Sequence, residues 1–309
     1  MVSFRLRSGR PRAVTRGSSK AERQPPHAST TPATRRARFR RRDWLGGGMA
    51  AAALTLMLVA LLAPVIVAHD PVKQNLIMAL QGPSWSHWLG TDQFGRDMLA
   101  RILYGLRLTV FISVISVGTA LAIGSVLGIG AGYWGGLLDT LIMRSIDVLL
   151  AFPSLVLAMI VISILGPGLF TMIVALAVYS VPGFARVGRG EVLRVKHLEF
   201  VTAARAIGAT DAHILIRHVS RNIYSQLTIL ATIRLGVVII VGSSLGFLGL
   251  GVSPPTPELG SMLGEGRTYM RLAPQLTIIP GLVISLLVLT INLTGNWARD
   301  RWDPHLRRA

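Results

Sequence analysis

The sequence predicts an all-α integral membrane protein of six transmembrane helices, with a disordered basic N-terminal tail. Three observations carry this. Of 309 residues, 51% are apolar and only 15% charged, too few charges for the surface of a soluble domain of this length. The apolar residues gather in long runs, most near the ~20 residues a helix needs to cross a hydrocarbon core. Basic residues gather between and before those runs, leaving a net charge of +18. Such a charge suits an acidic partner, with anionic lipid the first candidate and nucleic acid the second. Cysteine is absent, which removes disulfides, thiolate metal sites and thiol nucleophiles.

Residues 1–43 form a first region, with 13 Lys/Arg against Glu22 and Asp43. Ser, Thr, Pro and Ala fill most of the rest. Such a segment cannot bury enough apolar surface to offset its ordering entropy, so disorder is expected. It reads as a cytoplasmic tail whose Arg-rich end abuts the membrane, with a nucleic-acid arm as the alternative.

Residues 44–106 hold the first span and an external segment. The run "GGGMAAAALTLMLVALLAPVIVA" (46–68) carries no charge. Its length and the long tail before it favour a span over a cleaved signal peptide. Residues 107–296 form the core, with spans expected near 108–131, 148–165, 168–185, 228–250 and 275–295. Only Gly166, Pro167 and Gly168 divide the third span from the fourth. Residues 297–309 are the C-terminus. With both termini inside, inner segments hold 25 Lys/Arg and outer loops six, counted on the sequence. Basic residues favour the cytoplasmic side, so both termini are expected there.

This orientation makes residues 186–226 the largest cytoplasmic loop. Read as helix, Phe200, Val201, Ala204 and Ile207 share one stripe. Gly208 then interrupts. A second helix from Ala212 stacks Ile214, Leu215 and Val219, with Arg217 and Arg221 on a polar face. Thr210 or Asp211 can cap it. Ala203, Ala204, Gly208 and Ala209 are small enough to let another surface approach the backbone. Two readings fit: an interfacial helix on the inner leaflet, or a docking element for a cytoplasmic partner.

The stretch "EFVTAARAIGATDAHILIRHV" resembles the EAA-type loop of ATP-binding cassette importer permeases, above all the dipeptide/oligopeptide/nickel family. That family's pattern runs Y-V-x-A-A-R-x-x-G-A and then an Arg-His pair. The matching positions are Phe200, Val201, Ala203, Ala204, Arg205, Gly208, Ala209, Arg217 and His218. Other segments resemble the same family: "LGTDQFGRDMLARILYGLRLT" (89–109), "MRSIDVLLAFPSLVLAMIVISILGPG" (143–168), "FLGLGVSPPTPELGSMLGEGR" (247–267) and "GNWARDRWDP" (295–304). The likeness runs from about residue 44 to the end. One departure lies after His218, where the family has hydrophobic-Leu-Pro-Asn and this chain has Val219-Ser220-Arg221-Asn222. The missing Pro removes a fixed kink before the fifth span.

The resemblance implies a type I importer fold and a non-catalytic permease subunit of a bacterial cytoplasmic membrane. It implies a second permease subunit, two cytoplasmic ATPases and an extracytoplasmic binding protein. The ATPase-docking loop would comprise Glu199, Ala203, Ala204, Arg205, Gly208, Ala209, Arg217 and His218. The cargo implied is di- or oligopeptides, with nickel chelates, glutathione and oligosaccharides as alternatives within the class. ATP and Mg²⁺ belong to the partner.

The residues themselves agree with a chain lacking an active site. A phosphate-binding G-x-x-x-x-G-K-[ST] loop requires a Lys after Gly, and none of Lys20, Lys73 and Lys196 follows one. H-E-x-x-H does not occur, and His213 and His218, five apart, share an α-helical face poorly. No metal site is expected. Ionisable groups in the spans are few, which speaks against a secondary transporter or channel working without an ATPase. A membrane anchor for a nucleic-acid-binding or regulatory complex is a further alternative. Arg144 and Asp147, three apart, are expected to pair. Arg234 reads as snorkelling or as structurally paired.

Gly124, Gly128 and Gly132 recur every fourth residue, as do Gly242 and Gly246, a spacing that lets helices approach closely. They serve internal packing or a subunit interface. In the external segment, Thr91 or Asp92 is a candidate helix cap and Asp97 with Arg101 a candidate i,i+4 pair. Thr91, Asp92, Gly95, Arg96 and Asp97 read either as a surface helix or as contacts for a delivering protein.

Overall fold

The computed structural model describes residues 47–302, apart from residues 49 and 68. The described residues fall in one compact unit. The tail, with its expected disorder, and residues 303–309 lie outside the described residues. Among the described residues every regular element is helical, apart from one isolated bridge between Thr91 and Asp97.

The first run gives α1 (Ala50–Leu61) and, after a turn at Leu62, α2 (Ala63–Ile66). Pro64 sits in the first turn of α2, where its missing N–H costs nothing. The second span is longer than expected: α3 (Met98–Trp134) has 37 residues and starts ten before the apolar run. Asp97 caps it, accepting from Ala100 N. The expected cap at Thr91 or Asp92 is therefore corrected to Asp97.

The third span is broken. Here α4 (Gly136–Ala151) and α5 (Ser154–Leu165) meet at 94° across Phe152 and Pro153. The apolar run misled because hydropathy does not register the break that Pro imposes on the residue before it. Gly166 to Gly168 do end this span, and α6 (Leu169–Val195) follows. The loop contains α7 (Glu199–Ala206). Then α8 (Asp211–Phe247) runs without interruption through the loop's second helix and the fifth span. The short α9 (Leu259–Arg267) precedes α10 (Gln275–Trp302). Four helices, α3, α6, α8 and α10, are long and apolar enough to cross a membrane, and the bent α4–α5 pair adds a fifth.

The centre of the bundle is α3 against α6, running parallel. A Cβ at Gly124 would lie 2.6 Å from Phe184 Cβ and 2.8 Å from the Val181 carbonyl oxygen. One at Gly128 would overlap the Ala185 carbonyl, and one at Gly132 would lie 3.0 Å from Arg189 O. The four-residue glycine row thus seats α6 inside this chain. Gly242 of α8 faces Leu176 and Met172 of α6, and Gly246 faces Glu258 and Ser261 at the start of α9. One apolar core joins α3, α6 and α8 and reaches into the loop through Val201, Ile214 and Val219. A second, around Met98, Leu106, Leu259 and Ile291, closes the opposite end.

Candidate functional site

The loop between α6 and α8 is built as helix, glycine joint, helix. Gly208 has φ +83°, a left-handed conformation that costs other residues about 1–2 kcal/mol. Thr210 then caps α8, accepting from His213 N. Val201, Ala204, Ile214 and Val219 are buried and hold both helices against the bundle. The expected stripe is corrected here. Phe200 is exposed and Ile207 is 86% exposed, because the chain turns away at Gly208 and only two of the four positions meet the core. Ala204 is buried, so it supports the loop rather than offering a contact. Glu199, Ala203, Arg205, Gly208 and Arg217 are exposed; Ala209 and His218 are half-buried. Phe200, Ile207 and Ile216 are exposed as well.

A turn of π-helix spans Ile214–Val219. Its wider winding brings residues five apart into line. His213 and His218 therefore stand with ring centroids 5.7 Å apart, and Phe200 lies 6.2 Å from His218. The α-helical spacing expected for the two histidines is corrected accordingly. The helix passes through Arg221 because Arg, unlike Pro, keeps its N–H and has no ring to clash.

The loop is tied to the bundle by polar contacts that no sequence spacing signals. Tyr133, near the end of α3, donates to Asp211 Oδ1 at 2.5 Å, and Arg205 lies 3.9 Å from the same oxygen. Lys196 Nζ donates to the Gly132 carbonyl at 2.8 Å, capping the last turn of α3. Arg189 grips Asp139 with two bonds of 2.6 Å, fixing α4 to α6. Asp147 pairs with Arg186 at 2.7 Å. The expected Arg144–Asp147 pair is thus corrected: Arg186 reaches Asp147 from α6, which packs beside α4.

At the opposite end, residues 91–97 form a tight, buried knot. Thr91 donates to the Met78 carbonyl and accepts from Gln81 N at 3.0 Å. Asp92 accepts from Phe94 N and Arg96 N and pairs with Arg96 Nε at 2.6 Å and Arg101 Nε at 3.3 Å. Gly95 has φ +69°, and a Cβ there would overlap the Asn75 backbone. Arg101 also approaches Glu265 of α9 at 3.5 Å. The expected Asp97–Arg101 pair is corrected, since Asp97 turns to His87 at 2.8 Å. Thr91, Asp92, Gly95, Arg96 and Asp97 are all buried, which corrects their reading as a contact surface. Their side chains are consumed in shaping the segment, and Trp85, Trp88 and Phe94 are what it exposes.

A family model described as "Binding-protein-dependent transport system inner membrane component" matches residues 124–308, which spans the loop and most of the bundle. The chain belongs to this family. As an inner membrane component of this kind, it is a permease subunit of an ATP-binding cassette importer, in which ATPase activity resides in a separate subunit. Among its relatives is the glutathione transport system permease protein GsiD of Pectobacterium atrosepticum. It is 45% identical over 227 residues, covering 74% of this chain and 75% of that one. The dipeptide transport system permease protein DppC of Alkalihalophilus pseudofirmus is 40% identical, covering 82% and 83%. DppC of Haemophilus influenzae is 42% identical, covering 82% and 88%. In fold, the permease matches a chain of the inward-facing MetNI methionine ABC transporter with a TM-score of 0.54 and 21% identity. That match covers 64% of this chain and 94% of the other.

Proposed function

We propose that this permease subunit carries di- or oligopeptides inward, and that a cytoplasmic ATPase docks on residues 199–222. The observation that carries the docking is the exposed face of that loop. Ile207 and Ile216 are 86% and 75% exposed, an apolar surface at the end of a bundle and beside Arg205 and Arg217. Such a surface calls for a partner. The loop lies at the cytoplasmic end, in line with its share of basic residues. A second, similar permease subunit completes the translocation path. A binding protein delivers cargo at the other end, where the exposed residues are Trp85, Trp88 and Phe94.

The peptide assignment is supported by the dipeptide permeases among the relatives, and glutathione is the second reading, favoured by the GsiD relatives. Both cargoes carry carboxylates and amides, and glutathione differs by its γ-linkage and a second carboxylate. The test is purification of the tagged chain from its native membrane in mild detergent, followed by ATPase and uptake assays. An ATPase and a second permease should co-purify, and an unlabelled dipeptide should compete for uptake more strongly than glutathione. A chain that emerges with no ATPase bound defeats the docking reading. Uptake blocked by glutathione alone moves the cargo to the second reading.

A further inference from the structure

We propose that His69, His87 and Asp97 form a binding site for a divalent transition-metal ion, of which Zn²⁺ is the model, at the end of the molecule opposite the loop. Each of the three offers one ligand atom, and those atoms lie within 4.8 Å of one another. They come from three parts of the chain. His69 follows the end of α2, His87 lies in the segment before α3, and Asp97 is the residue that caps α3. The imidazoles of His69 and His87 face one another with centroids 5.1 Å apart.

The two oxygens of Asp97 are divided between roles. Oδ1 accepts from Ala100 N at 2.7 Å and keeps the cap, while Oδ2 meets His87 Nδ1 at 2.8 Å. An ion entering here replaces the proton shared by Oδ2 and Nδ1 and leaves the cap intact. Ligand atoms about 2.0–2.1 Å from a tetrahedral ion stand about 3.3 Å apart. His87 and Asp97 therefore part by about half an ångström, and His69 closes by up to about 1.5 Å. His69 is exposed and free to make that movement. Two imidazoles and a carboxylate match the preference of zinc, with water completing the fourth position. His87 is half-buried and Asp97 buried, so two of the three ligands are already oriented. A bound ion fastens the segment after the first apolar helix to the start of α3.

The inference is independent of cargo and of ATPase docking. The experiment uses the full-length chain in lipid nanodiscs, stripped of metal and titrated with Zn²⁺ by calorimetry and with Co²⁺ by visible absorption. One ion per chain, with the intense visible bands of tetrahedral Co²⁺, is expected. His69→Ala should weaken Zn²⁺ binding at least about tenfold, the lower end of the loss on disturbing the surroundings of a metal ligand. Because His69 is exposed, the variant keeps its fold. Asp97→Asn retains a capping oxygen and should weaken binding as well. Zn²⁺ should raise the Tm of the wild-type chain more than that of His69→Ala at the same concentration. Equal affinity in wild type and His69→Ala, or non-saturating uptake, means an adventitious ion only and overturns the site. So does loss of binding in a His213→Ala, His218→Ala double variant.

Discussion

At Gly128 a single methyl group already overlaps the Ala185 carbonyl, so α3 and α6 have no room to take up a larger side chain. Gly128→Leu is expected to destabilise the bundle by about 3 kcal/mol, the upper range for overpacking. The drop in Tm of the detergent-solubilised chain measures it. Glu258 is a different kind of residue, a wholly buried carboxylate at the start of α9. It accepts from Gly260 N, Ser261 N and Thr109 Oγ1 at 2.9, 2.8 and 3.3 Å. Burial pushes its carboxyl above the ordinary carboxylate range, and those donors pull partly against it. A group whose folded pKa is raised gives full stability below its unfolded pKa and loses it as pH climbs through the folded one. Tm should therefore fall as pH rises from the ordinary carboxylate range upward, and Glu258→Gln should flatten that slope. Glu258→Ala leaves the donors unpaired and should cost roughly 1–3 kcal/mol.

At the scale of elements, Gly208 decides how α7 meets α8. It has φ +83° and nothing within 4 Å of where a Cβ would stand, so a substitution strains the turn without colliding with the bundle. Gly208→Val should leave the chain folded and its partner's ATP hydrolysis active while uptake falls several-fold. Parallel ATPase and uptake assays on one preparation decide this, and equal losses in both would mean that the joint does not transmit. Much of this architecture was legible beforehand. The apolar runs located α3, α6, α8 and α10, and the small residues at four-residue spacing marked a close helix contact without identifying α6 as its partner. The division at Gly166–Gly168 was also visible. The break at Pro153 was not, because a window of hydropathy reports composition and not direction. The π-turn was equally hidden, since no residue type encodes it. Burial of Thr91, Asp92 and Arg96 depended on Met78, Gln81 and Glu265, partners that sequence spacing cannot identify.

Across the whole molecule, the loop speaks to the bundle through few polar contacts. Tyr133→Phe removes the 2.5 Å bond to Asp211 and leaves the ring in place. A hydrogen bond to a carboxylate is worth about 1.5–3 kcal/mol, toward the low end for an exposed partner, so Tm should fall by a few degrees. Uptake per ATP hydrolysed should fall if that bond carries motion from loop to α3, and an unchanged ratio would assign the bond to stability alone. Deleting residues 1–34 should leave uptake unaltered, whereas a nucleic-acid or regulatory role would be lost with them. The uninterrupted course of α8, from Asp211 in the loop to Phe247 at the far end, has a mechanical consequence. With 37 residues it is a rod about 55 Å long, so a tilt of about 10° at the loop end displaces the other by about 10 Å. A proline-kinked span dissipates part of such a rotation at its hinge. A helix without a proline hinge passes more of that rotation to the opposite mouth.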